Sequence, residues 1–498
     1  MKRTILSICL AATAALALNA ENYMGNIVVN RNGQTYNSNV TVTVTQESNG
    51  LNTLTLQVPI YGTMTMAGVH AATVNGVTVY SAERDVETNF GVMRTTLLAR
   101  TVDGMMAADV AIPAQNATMW FNTVGDHFQL PNSDLEAWGA SNGEPDRWHG
   151  FKTAKGSLAA MAADGGKLMS SDDVRPGSTG THSAMITTGR VWGVLANGTM
   201  TNGQLNAGGV FATDTKNHAE MDKDATTTDA LGNKFYMPVY AKPDAFKAWI
   251  KYVQGKTNAA FKANVSVKTF DGTYYQEPTD KEYTNLSGSI VGGQIEACDW
   301  TEFTFPFDYD TYAANGAATE AIFVTFSTNA TPGQGNDDDA VYIDDMELVY
   351  LGNMTDLRYQ GQTIEGWNPA VTTYNMEIAD EPNLDDFTAS IEGVSAVLTK
   401  SMEQNEDGSY RIAISVVAAD LQTATCYLIN VTEPAAQVKK GDVNNDGSVT
   451  IADVTSLIDY LLSGSVEGFN AQAADVDENE TVTIADVTTL IDMLLSGS

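Results

Sequence analysis

Two stretches near the C-terminus repeat each other at an offset of 33 residues: Asp442–Gly464 (DVNNDGSVTIADVTSLIDYLLSG) and Asp475–Gly497 (DVDENETVTIADVTTLIDMLLSG), identical at 16 of 23 positions. A fixed period of this kind means one supersecondary unit built twice. Each copy opens with a 12-residue acidic loop. In the first, side-chain oxygens fall at positions 1, 3, 5, 9 and 12 as Asp442, Asn444, Asp446, Thr450 and Asp453, and Ser448 offers its carbonyl at position 7. The second loop has Asp475, Asp477, Asn479, Thr483 and Asp486, with the Thr481 carbonyl at position 7. Alternate residues of a tight loop point inward, and Ca2+ takes six to eight oxygens at about 2.3–2.6 Å, so each spacing can wrap one ion, Thr450 acting through a water. Gly447 allows the positive φ the sharp turn requires at position 6. Glu480 stands there in the second loop, at a cost of roughly 1–2 kcal/mol for an L-residue, which predicts a weaker second site.

After each loop the pattern becomes helical. Val454, Leu457, Ile458, Leu461 and Leu462 recur at i, i+3, i+4, i+7 and i+8, and Val487, Leu490, Ile491, Leu494 and Leu495 copy them. Two short helices with such stripes are expected to pack on each other. Position 12 is Asp and no helix precedes either loop, so these are loop–helix halves. Over 438–498 the chain resembles a type I dockerin. The resemblance implies a fold around two calcium ions and docking to a cohesin-like partner in polysaccharide-degrading assemblies. In that family partner choice commonly rests on loop positions 10 and 11, here Ile451–Ala452 and Ile484–Ala485, where many cellulosomal members carry hydroxyl residues.

A formal charge of −34 over 498 residues opposes binding to nucleic acid or to anionic membrane surfaces. Residues 1–20 combine Lys2–Arg3, an apolar run from Ile5 to Leu18 and small residues, which reads as a secretory signal cleaved after Ala17 or Ala20. No other run is apolar enough for a membrane span, so an exported, extracellular or cell-surface protein is expected. Beyond that segment only Cys298 and Cys426 remain, too few for a disulfide framework.

Residues 21–116 alternate with period two, as in Val40, Val42 and Val44, then Leu54, Leu56, Val58 and Ile60 across the Asn49-Gly50 turn, which predicts an all-β meander. It resembles small calycin-like barrels, which either hold one small ligand or fill their own interior. Residues 117–351 hold short β-rich runs between Gly-, Asn- and Asp-rich turns, predicting a jelly-roll sandwich. Their opening, Asn132 to Trp148, and their close, Ile343-Asp344-Asp345, resemble a carbohydrate-metabolism domain and galactose-binding-like carbohydrate modules. That resemblance implies a structural calcium shared by Glu136 and Asp344. Five of the seven tryptophans lie here (138, 148, 192, 249 and 300). Trp148 and Trp192, with arginine or histidine neighbours, are the candidates for stacking on sugar rings. Residues 354–434 resemble an Ig-like or cadherin-like spacer.

The chain is thus expected to be mostly β with a small all-α calcium-binding end. No zinc spacing, nucleophile elbow or phosphate loop occurs, and no residue is assigned a catalytic role. The leading reading is a secreted modular protein that binds glycan through the sandwich and docks through its C-terminus. One alternative is a glycosidase with two facing carboxylates within 117–351. Another is a structural cell-surface protein.

Overall fold

The computed structural model describes residues 19–140, 142–434 and 438–496; residues 1–18 of the expected signal segment lie outside them. The chain divides into two compact units, one of Met1–Asn375 with Pro382–Asn430, the other of Met376–Glu381 with Val431–Ser498.

The first unit begins with a closed antiparallel barrel of eight strands in chain order: β1 (Asn19–Arg31), β2 (Gln34–Gln46), β3 (Asn52–Val58), β4 (Gly62–Val74), β5 (Val77–Thr88), β6 (Gly91–Val102), β7 (Met105–Ile112) and β8 (Ala117–Asn122). Alternation builds it, since Val42, Val44, Leu54, Leu56 and Val58 all point inward and are buried. The barrel runs past the boundary expected at residue 116. Pro113–Gln115 form a single 3₁₀ turn and Asn116 adopts the left-handed conformation, which reads as a stop. The chain then reverses into β8, which pairs with both β7 and β1 and closes the barrel. The interior is filled by Tyr23, Tyr61, Met64, Met106, Phe121 and their neighbours.

A two-sheet sandwich follows. Its first sheet runs β9 (Lys167–Ser171), β10 (Ser183–Thr187), β23 (Ala340–Val349), β16 (Ala245–Val253), β21 (Cys298–Asp308). The second runs β13 (Thr199–Thr201), β22 (Ala321–Ser327), β17 (Ala263–Phe270), β19 (Leu286–Ile290), with β20 (Gln294–Ile295) beside β17. Strand β21 joins them, pairing with β16 along most of its length and with β19 at its end. Phe246, Ile250, Val267, Phe323 and Ile343 are fully buried between the sheets. Outside them lie a short helix α1 (Ala159–Ala162), the hairpin β11 (Gly189–Val191)–β12 (Val194–Ala196), and a small sheet of β14 (Gln204–Ala207), β15 (Asn217–Met221) and β18 (Tyr275–Glu277).

The spacer region has two sheets, β25 (Gln362–Thr363)–β24 (Asn353–Tyr359)–β27 (Phe387–Glu392) and β26 (Thr373–Glu377)–β30 (Ala424–Thr432)–β29 (Tyr410–Val417)–β28 (Val397–Gln404). In the second unit α2 (Ile451–Ser463), α3 (Ala471–Ala474) and α4 (Ile484–Ser496) surround a small core of Val443, Val454, Leu457, Ala474, Val476, Val487 and Leu490.

Candidate functional site

The two acidic loops fold alike, bond for bond. In the first, Asp442 accepts the N–H groups of Asp446 (3.0 Å) and Gly447 (2.9 Å), and Asp453 accepts those of Asn444 (3.1 Å) and Thr450 (2.8 Å). In the second, Asp475 accepts Asn479 (3.0 Å) and Glu480 (2.8 Å), and Asp486 accepts Asp477 (3.1 Å) and Thr483 (2.8 Å). These bonds aim the carboxylates of positions 1 and 12 into the loop. The Thr450 and Thr483 hydroxyls accept from Ala452 and Ala485, both at 3.2 Å, so position 9 also caps the helix that follows. Asp453 and Asp486 are fully buried; Asp453 closes a capping box with Thr450 while facing the loop, and Asp486 accepts the Thr483 N–H.

The donor set fits a hard cation. Carboxylate oxygens of Asp475, Asp477 and Asp486 lie within 4.8 Å of one another, the spacing of ligands around one ion of Ca2+ size. Burial and the nearby Asp486 carboxylate push Asp477 up. Burial also opposes charge on Asp486, but the Thr483 and Asp477 N–H groups hold it below the usual carboxylate range. A bound Ca2+ would neutralise this crowding. Gly447 has φ +87° and Glu480 φ +64°, so the second loop does carry a side chain in the left-handed region. It is nevertheless the second loop, expected to be the weaker, in which three carboxylates converge.

The helical stripes are split between two environments. As expected, the two helices pack on each other, through the buried Val454, Leu457, Val487 and Leu490, whereas Leu462 and Leu495 are each 82% exposed. Ile451 (71% exposed), Ile458 and Leu462 follow an i, i+7, i+11 spacing along one face of α2, and Ile484 (70%), Ile491 and Leu495 repeat it on α4. Ala452 and Ala485 are exposed beside them.

In the sandwich, a cavity of about 780 Å³ lies over the outer face of the second sheet. Its floor is polar by strand alternation: Asn264, Ser266 and Lys268 face it from β17 while Val265 and Val267 turn into the core. Thr199, Thr325, Ser327 and Ser289 extend the floor. Lys268 donates to Ser289 at 2.6 Å and lies 3.7 Å from Glu277, which accepts Tyr275 Oη at 2.9 Å. Two lining amides have unmatched atoms among the described residues: Asn329 Nδ2, in a side chain only 5% exposed, and Asn206 Oδ1.

Trp192 stands at this cavity, 69% exposed at the tip of the β11–β12 hairpin. Trp192 and Gly193 both have positive φ (+52° and +80°), as a two-residue hairpin turn of type I′ demands. Trp148 is elsewhere and 0% exposed, packed in the core with its indole N–H between the Pro131 and Asn132 carbonyls. It cannot stack on a ligand. The residues missed by sequence reading are Asn206, Lys268 and Asn329, whereas Glu277 is one of the carboxylates available to the glycosidase alternative. The period-two pattern of β17 was the available signal for Lys268.

Glu136 and Asp344, expected to share a calcium, are each held by backbone donors. Glu136 accepts the Thr181 and His182 N–H groups at 2.9 and 2.8 Å. Asp344 accepts Arg175 N–H at 3.1 Å and Asp345 N–H at 2.9 Å. The Arg175 guanidinium pairs with Asp345, bringing to these carboxylates the positive charge a metal would supply. Both acids fasten the 172–182 loop, and among the described residues the cluster of three potential ligands lies in the second acidic loop. Burial pushes Asp344 up to about 6, the Asp345 carboxylate adding to it.

The chain is mostly β and ends in a doubled acidic loop–helix unit. Residues 440–495 match the model of the dockerin type I domain. Dockerin domains in general bind calcium and dock to cohesins, and the proteins carrying them are typically extracellular or on the cell surface. No curated protein matches the chain. Solved structures similar to it have glycoside hydrolase and carbohydrate-binding module folds. One is a candidate glycoside hydrolase from Bacteroides thetaiotaomicron (13% identity, TM-score 0.32, covering 52% of this chain and 86% of that one). Another is the Clostridium thermocellum endo-1,4-β-D-xylanase 10B with its CBM22-1 and GH10 modules and xylohexaose (11%, 0.19, 49% and 33%). A third is the M60 catalytic domain of Clostridium perfringens ZmpB with CBM51-1 and CBM51-2 (10%, 0.16, 84% and 40%). Among the described residues no helix is long and apolar enough to cross a membrane.

Proposed function

We propose that this protein is an exported glycan-binding module carrier, held in a polysaccharide-degrading assembly by calcium-dependent docking of its C-terminal domain to a cohesin-like partner. The docking half rests on the duplicated loops, each with position 1 and 12 aspartates held inward by the same backbone donors. Two Ca2+ ions are assigned, one held by Asp442, Asn444, Asp446, Ser448, Thr450 and Asp453, the other by Asp475, Asp477, Asn479, Thr481, Thr483 and Asp486. Calcium supplies the charge neutralisation that lets these oxygens stay packed. The partner-facing residues are Ile451, Ala452, Ile484 and Ala485.

The glycan half rests on the cavity beside Trp192. Its floor offers the amide of Asn264, the hydroxyls of Ser266 and Ser327 and the ammonium of Lys268 to sugar hydroxyls. Its volume falls in the range of about 300–1,000 Å³ typical of ligand sites. The one carboxylate in its lining, Glu277, is engaged by Tyr275 and Lys268. Hydrolysis by two facing carboxylates has no second partner in that lining, which favours binding over cleavage. Full-length protein applied to a glycan array and to immobilised cohesins, with calcium and with chelator, tests both halves. Retention by a glycan in both buffers and by a cohesin in calcium alone is expected. Absence of retention on every glycan would remove the first half, and cohesin capture in chelator the second.

A further inference from the structure

The walls rising from the polar floor differ from it in chemistry. Leu158 and Met161 reach the cavity from α1 and its approach, Val191, Val194 and Leu195 from the β11–β12 hairpin, and Val210 from the following loop. Met161, Trp192 and Val210 remain exposed at the rim. Hydrocarbon side chains offer no partner to a hydroxyl, so a bare saccharide filling this space would lose hydrogen bonds to water along these walls without replacement. The same walls gain from covering an apolar surface. The cavity is therefore amphipathic: amide, hydroxyl and ammonium groups below, aliphatic carbon and an indole above. A neutral polysaccharide chain lying on a flat aromatic platform would match only part of it.

Resting on the glycan reading of this cavity, we infer that its ligand is a saccharide bearing a hydrophobic aglycone, with the sugar on the Asn264–Lys268 floor beside Asn206 and Asn329 and the aglycone against the Met161, Val194 and Val210 wall. Trp192 spans the junction at the mouth. Its place at an exposed hairpin tip makes it replaceable without loss of the core, and Asn tolerates the positive φ there.

The test is titration calorimetry on the full-length protein with paired probes. Methyl and octyl β-glycosides of glucose, galactose, mannose and xylose are compared below the octyl micelle concentration, alongside octyl tetraethylene glycol as a sugar-free amphiphile. For at least one sugar the octyl glycoside is expected to bind at least about tenfold more tightly than its methyl partner and than the sugar-free amphiphile. Trp192→Asn and Val210→Ser, with melting temperatures unchanged, are expected to reduce that advantage. Equal binding of the methyl and octyl forms of a recognised sugar would overturn this inference and leave the glycan reading standing. Equal binding of the sugar-free amphiphile and the best octyl glycoside, or binding of no probe, would overturn both.

Discussion

Glu480 occupies a backbone conformation of φ +64° that Gly447 fills in the first loop at no steric cost. Glu480→Gly should relieve roughly 1 kcal/mol, so the calcium affinity of the second loop, read by calorimetry, should rise about fivefold; no change would mean that the strain is absorbed elsewhere. Asp344 offers a pH test. Its folded pKa of about 6 lies above the unfolded value, so the native state takes up a proton first. Stability from this group grows as pH falls from about 6 to about 4 and is lost as pH rises through 6. Buried His149, pushed down to about 4 by desolvation, acts oppositely, losing stability as pH falls below its unfolded value. Asp344→Asn should therefore steepen the acid loss of stability between about pH 7 and 4.5 by roughly 2 kcal/mol in urea titrations; parallel profiles would contradict this. Residues were legible unevenly. The loop oxygens could be read because their spacing is itself the chemistry. Trp148 and Trp192 could not be told apart by polar neighbours. What separated them was Trp-Gly between Val191 and Val194, a hairpin turn that forces its first residue outward.

Among elements, α2 and α4 carry the same exposed face twice, Ile451–Ile458–Leu462 and Ile484–Ile491–Leu495. A partner that recognises one face should recognise the other. Ile451→Asp or Ile484→Asp alone should weaken cohesin capture by no more than about twofold, the loss of one of two equivalent sites, while the double variant should abolish it; complete loss in either single variant would refute equivalence. Two strands show why element reading fell short. Strand β8 follows a local stop and is recovered only through its two neighbours. Strand β28, VLTKSMEQ, lacks an apolar alternation because its far end faces charge, Glu403 meeting Arg84 of the barrel at 2.6 Å. Tertiary partners, absent from a local pattern, decide both.

Across the first unit, barrel, sandwich and spacer region share one core in which Val77 and Ala107, Phe246 and Ile343, and Val417 and Leu421 belong to the same buried cluster. Arg100 of the barrel, fully buried, donates to the carbonyls of Leu421 (2.8 Å) and Gln422 (3.2 Å) and pairs with Asp109. Arg100→Leu strands the two carbonyls, while half-exposed Asp109 stays solvated, and should cost about 2–3 kcal/mol and speed proteolysis near residue 421; unchanged stability would show that the apolar seam alone holds the parts together. The region expected to be a spacer is thus fastened to the barrel, a fact composition and periodicity do not carry. Calcium is expected to give the C-terminal domain its shape. Hydrogen–deuterium exchange on the full-length chain, in about 1 mM calcium and in excess chelator, tests it most directly. Chelator should erase amide protection in 451–463 and 484–496 and leave the barrel and sandwich unchanged; equal protection of both helices in the two buffers would contradict it.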